Sequence, residues 1–179
     1  ENVGEVSPMS VKNEINSTIS KYFASPKPQK IKDLVDINTL SKDPTTETDK
    51  EFIYVDIESV GKGTGIISYE QSILGINAPS RARRIATSGS TIVSTVRPYL
   101  KGFAFIEKEV ANSIYSTGFA VLKSKDETIL LNKIIFYAFM YSNDLMTQME
   151  KAMPRGSYPS INKDDIENFT INLPNLKEQ

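Results

Sequence analysis

The chain has 179 residues, 39% of them apolar and 24% charged, with a formal net charge of -1. That length supports one domain with a proper core, alone or with an appendage. Cys and His are both absent, which excludes disulfides, thiolate metal sites, Ser-His-Asp triads and any imidazole base. Carboxylates, Lys, Tyr and Ser/Thr are what remain for catalysis, so the expectation tilts toward a binding module.

The longest apolar run, Ile134 to Tyr141, is too short to span a bilayer, and no membrane partner is expected. No basic-then-apolar secretory pattern opens the chain, which makes cytoplasmic residence the default expectation. The chain begins at Glu1 rather than Met, suggesting a fragment or a processed polypeptide.

In chain order, Val11, Ile15, Tyr22 and Phe23 recur at helical spacing ahead of Pro26 and Pro28. They predict a short N-terminal helix and a Pro-containing connector over residues 1–28, with the main domain over 29–179. Gln29 to Asn38 reads as a strand and Thr39 to Lys50 as a polar, charged loop. Glu51 to Ile57 reads as a second strand, with Phe52, Tyr54 and Asp56 on one face. Gly61-Lys62-Gly63-Thr64-Gly65 follows. A phosphate loop needs GxxxxGK[ST] between strand and helix; no helical pattern follows here, so the segment is expected to be a glycine-rich turn between strands.

Ala78 to Lys101 carries Arg81, Arg83, Arg84, Arg97 and Lys101, and Gln71 to Ile106 contains no Asp or Glu. By contrast, residues 1–60 hold 11 acids against 7 bases. A near-neutral chain therefore concentrates positive charge in one stretch, and the interleaved Ser and Thr suit phosphate oxygens. Within it, Thr91 to Val96 is β-branched and predicts a strand. Leu100 to Ile106 and Ser113 to Leu122 predict further strands, with breaks at Gly102 and Gly118. Thr128 to Met153 predicts one long helix, apolar around much of its circumference. Its exit, Met153 to Ser160, is a basic loop bracketed by Pro and Gly; a helical turn at Lys163 to Glu167 and a last strand at Phe169 to Leu173 complete the pattern. The expected class is α+β: a single β-rich domain with a curved mixed sheet, one long buried helix and a short N-terminal helix.

Several local patterns then coincide in one order. They are QKIKDLVDIN, GIISYEQ before NAPSRARR, SGSTIVSTVRPYL, SIYSTGFAVLK, the apolar helix, PRGSYPSINKDDIENFTI and LPNLKEQ. Their ordered combination over roughly residues 29–179 resembles the target recognition domain of the specificity (S) subunit of type I restriction-modification enzymes. The same domain type occurs fused to adenine methyltransferases. The resemblance implies a non-catalytic reader of one half of a split DNA target, with LPNLKEQ where a spacer helix would start. It implies double-stranded DNA as ligand and an adenine methyltransferase (modification) subunit or fused domain as partner. A restriction subunit, and a homodimer for a half-length S protein, are further partners it implies. No cofactor is expected on this chain; S-adenosylmethionine, and ATP and Mg in restriction, are implied for partner subunits, and no metal site is expected.

Arginine reads guanine bidentately in the major groove, so the DNA-binding residues are expected among Lys62, Tyr69, Ser80, Arg81, Arg83, Arg84, Arg97, Tyr99 and Lys101. Arg155, Ser157 and Tyr158 of the exit loop form a second edge. The alternative is a protein- or glycan-binding β-rich module using Tyr54, Tyr69, Tyr99, Tyr115 and Tyr158. No carboxylate pair has a spacing suited to general acid/base work.

Overall fold

The structure is a computed structural model that describes residues 13–14, 17–18, 28–154 and 158–179. Asn13, Glu14, Ser17 and Thr18 are helical; the rest of the expected N-terminal helix lies outside the described residues. The strand expected over Gln29–Asn38 is instead β1 (Pro28–Lys30), a helical turn α1 (Ile31–Leu34) and β2 (Val35–Ile37). The cause is Ile31 and Leu34, both buried in one cluster. A helical turn lays residues three apart on one side, where a strand would send them to opposite faces.

The remaining strands are β3 (Glu51–Val55), β4 (Ser72–Leu74), β5 (Ala82–Arg84), β6 (Thr91–Ser94), β7 (Phe103–Phe105), β8 (Ser113–Ser116), β9 (Phe119–Ser124) and β10 (Thr170–Asn172). The class is α+β and β-rich as expected, with the strands shared between two four-stranded sheets and a two-stranded ribbon. One sheet, in the order β2-β9-β6-β7, is antiparallel throughout. The other, β4-β3-β8-β5, is mixed, because β3 and β8 run parallel. The ribbon pairs β1 with β10, Gln29 opposite Ile171.

Alternation along the strands shows how the layers stack. On β9, Ala120 and Leu122 join the cluster formed with the helices, while Phe119 and Val121 join the cluster beneath β3 and β8. The antiparallel sheet is therefore buried on both faces, helices on one side and the mixed sheet on the other. The mixed sheet turns Val55 and Tyr115 inward to that shared core, and Phe52, Tyr54 and Ile114 to a small outer cluster with Ala82.

The long helix expected over Thr128–Met153 is two: α2 (Asn132–Tyr141) and α3 (Asn143–Ala152). Ser142 separates them with extended backbone, φ -73° and ψ 115°. It closes α2 by donating its N–H to Ala138 O at 2.9 Å, and its Oγ accepts from Leu145 N at 3.2 Å to start α3. Leu145 and Met149 stay in the same core as Ile134 and Phe139, so the apolar repeat continues across the break. Asp126 starts a turn instead of capping a helix, accepting from Thr128 N and Oγ1. The expected turn near residue 163 is α4 (Lys163–Asn168), begun by a reciprocal Asn162–Asp165 box. This gives Asp165 a capping role. Among the described residues no helix is long and apolar enough to cross a membrane.

Candidate nucleic-acid interface

β5 carries the first basic cluster at the edge of the mixed sheet, and a bulge between Ala82 and Arg84 interrupts its register with β8. Arg81 sits in the turn just before the strand, and the bulge breaks simple alternation between Arg83 and Arg84. Arg81 is exposed. Arg83 is held back: one terminal nitrogen donates to Ala82 O at 2.8 Å, and the other lies 3.4 Å from Asp43. Its side chain is only 28% exposed. Hydrogen bonds from the Thr45 hydroxyl and N–H, reinforced by Arg83, hold the Asp43 carboxyl below the usual carboxylate range. Asp43 is thus kept charged to hold Arg83. Arg84 is half-buried, its backbone bridging to Ser41.

From Arg81 the surface continues through backbone hydrogen bonds. Thr117 N donates to Arg81 O at 2.7 Å, and Thr95 donates to Gly118 O through both its N–H and its hydroxyl. Ile161 N donates to Thr95 O and Arg97 N to Pro159 O, each at 2.9 Å. Arg81, the Thr117–Gly118 turn, Thr95, Arg97 and the chain at Tyr158–Ile161 thus form one connected ridge. Ser80 is exposed at its start.

Beyond β6 the chain makes a single 3-10 turn, Pro98–Leu100, between Arg97 and Lys101. The strand expected from Leu100 therefore begins only at Phe103. Both flanking residues are left-handed, φ 46° at Arg97 and 54° at Lys101. That conformation costs a side-chain-bearing residue about 1–2 kcal/mol, and such outliers concentrate at functional sites. The turn is pinned from beneath. Lys101 Nζ donates to Met140 O at 2.7 Å, a cation on the last carbonyls of α2, and Lys101 O accepts from Gly63 N at 2.9 Å. The glycine-rich segment is the turn its sequence predicted, closed by Gly61 N to Ile66 O and a bridge between Val60 and Ile67.

These elements border an open cleft of about 280 Å³, lined by Lys62, Arg97, Leu100 and Tyr158 together with Ile57 and Glu58. Tyr99 and Tyr158 are 43% and 56% exposed. The structure thus brings Lys62, Arg97 and Tyr158 to one cleft, Tyr99 to the turn beside Arg97, and Ser80 and Arg81 to the adjoining ridge. Arg83 and Lys101 are turned to contacts within the protein, and Arg84 is half-buried with its Nε enclosed and without a hydrogen-bond partner among the described residues. Tyr69 packs on the inter-sheet core, its hydroxyl 3.3 Å from that of Tyr115. Arg155 and Ser157 lie outside the described residues. Tyr54 and Tyr115 are buried, so the tyrosine-based alternative loses two of its five contact residues. Of the interleaved Ser and Thr expected to face phosphate, Ser90, Thr91 and Ser94 are buried and the Thr95 hydroxyl donates to Gly118 O. Sequence reasoning missed Glu58, Asp43 and Thr117. Glu58 alone had a signal, its spacing of four from Lys62.

A three-layer α+β domain with an exposed basic ridge and a tyrosine-bordered cleft defines a binding domain. Residues 26–179 match the type I restriction modification DNA specificity domain, and the chain belongs to that family. It is 24% identical over 103 residues to the type I restriction enzyme HindI specificity subunit of Haemophilus influenzae, covering 56% of this chain and 22% of that protein. The HsdS subunit from Thermoanaerobacter tengcongensis superposes with a TM-score of 0.74 and 34% identity, over 84% of this chain and 38% of that one. A structure from a study of complex assembly and conformational transition in a type I R-M system gives a TM-score of 0.74 and 33% identity, over 85% and 38%. The chain thus spans about two-fifths of the length of these structural relatives and about a fifth of the curated one.

Proposed function

We propose that this chain is a non-catalytic reader of double-stranded DNA. It recognises one half of a split target and directs adenine methylation, and restriction, by partner polypeptides. The observation that carries this reading is the connected surface from Ser80 and Arg81 through Arg97 to Tyr158, in a chain of the DNA specificity family. Cations at the margins of such a surface meet phosphates and set register, while side chains in the cleft reach base edges. Tyr158 borders the cleft with a flat, amphipathic ring suited to sugar and base contacts, and Tyr99 is exposed on the turn beside Arg97.

The chemistry belongs to other polypeptides in this reading. An adenine methyltransferase, as a separate modification subunit or a fused domain, uses S-adenosylmethionine, and a restriction subunit uses ATP and Mg. This chain chooses the position. Methylome sequencing of the host before and after deletion of the gene tests the proposal. Loss of one split adenine-methylated motif is the expected result, and an unchanged methylome in a host where the system is expressed overturns it.

A further inference from the structure

The carboxylate in the cleft is not accounted for by backbone gripping, because an acid among the bases repels phosphate. Glu58 is nonetheless firmly presented. Its 3-10 turn, Ile57–Ser59, is closed by reciprocal bonds: Asp56 Oδ1 accepts from Ser59 N at 3.0 Å and Ser59 Oγ accepts from Asp56 N at 3.2 Å. Ser68 N donates to Ser59 O at 2.8 Å, and Ile57 packs directly over Gly118. The backbone is fixed while the Glu58 side chain stays 80% exposed, and Lys62 at 3.8 Å is its one ion-pair partner among the described residues. A pair that long and that exposed holds neither group. Arg97 lines the same cleft from a different element. Among the described residues its guanidinium makes no hydrogen bond or ion pair.

In the major groove guanine offers N7 and O6 to an arginine, and its partner cytosine offers the N4 amino group to a carboxylate. A cleft presenting an available guanidinium and an available carboxylate from two elements matches the two halves of a G·C pair. We propose that Arg97 and Glu58 are specificity-determining residues that read the guanine and the cytosine of a G·C pair in the half-site. This rests on the DNA-reading function proposed above. Lys62 and Arg81 then serve the phosphates, and Arg83 is a positioning residue.

The test uses the full-length protein that carries this domain, assembled with its modification subunit, and a randomised duplex DNA library. The selected duplex and a random-sequence duplex are then titrated at one salt concentration. The wild type should select a G·C pair at which Arg97→Gly and Glu58→Ala each lose about 5- to 150-fold of discrimination, other positions staying fixed. Glu58→Gln should shift that position from cytosine toward adenine, because a carboxamide matches adenine N6 and N7. Arg97→Lys keeps the charge but not the bidentate fork, so it should relax the same position while retaining affinity for random DNA. Thermal unfolding of each variant separates lost contacts from lost fold. A defined wild-type motif that the variants leave unchanged, or equal losses on selected and random DNA, overturns the assignment and leaves DNA reading standing. If the wild type selects no motif, the DNA-reading function fails and the assignment with it.

Discussion

Arg97 combines two demands that oppose each other. Its backbone is left-handed, where glycine sits without steric penalty, yet the position carries a long cation on the proposed DNA surface. Arg97→Gly should therefore raise stability by about 0.5–1 kcal/mol, the relief of strain less the glycine's extra entropy, while weakening DNA binding. Urea unfolding read beside a DNA titration checks both halves, and a variant that loses stability would show the strain to be absent. The basic stretch was plain in the sequence as a run without acids. Which of its arginines stay available was not, because Arg83 is withdrawn by Asp43, forty residues earlier in the chain and inside a loop with no apolar pattern to place it. Tyr69 likewise shows no local mark of its bond to Tyr115.

Ser142 sets the geometry of the helical layer by ending α2 and capping α3 with one residue. Ser142→Ala removes the acceptor for Leu145 N in a buried setting and should cost about 1 kcal/mol, measured as a lower urea midpoint with an unchanged m-value. A shallower slope instead would mean that the two helices had come apart. The apolar repeat predicted the helical residues well and hid the break, since a capping serine is also a tolerable surface residue in a continuous helix. The segment at Ile31–Leu34 failed for the opposite reason. Four residues are too few to establish a period, and Ile31, Leu34, Val35 and Ile37 fit a buried strand equally well in sequence. Glycine marked the turns reliably: Gly118 separates two strands that belong to different sheets.

For the molecule as a whole, the -1 net charge makes binding depend on how charge is distributed, and salt should report it. The logarithm of DNA affinity should fall linearly with the logarithm of salt concentration, by about 0.9 per phosphate contacted. A flat dependence would remove the phosphate contacts assigned to Arg81 and Lys62. Alkaline stability should report the core. Burial, reinforced by the hydrogen bond to Tyr69, pushes the Tyr115 phenol well above the ordinary tyrosine value. A group whose acidity is suppressed by folding supports the fold fully below its unfolded pKa, about 10, and loses that support as pH rises beyond it. The urea midpoint should fall as pH rises above about 10, and less steeply in Tyr115→Phe. The division of strands between two sheets was the least legible part of the fold, because β6 and β9 are apolar on both faces and alternation no longer names a core side. The pairing of β1 with β10 has a mechanical consequence. Pro28 and Asn172 lie opposite each other, one strand spacing of about 5 Å apart, and the chain beyond Asn172 is tied down again at Gln179, whose side chain accepts from Leu131 N at 2.9 Å and donates to Ile129 O at 2.8 Å. A load arriving through residues 173–179 is therefore shared between the ribbon and the start of α2. Two separated anchorages resist torque where one would swivel, so the cleft keeps its bearing relative to that segment.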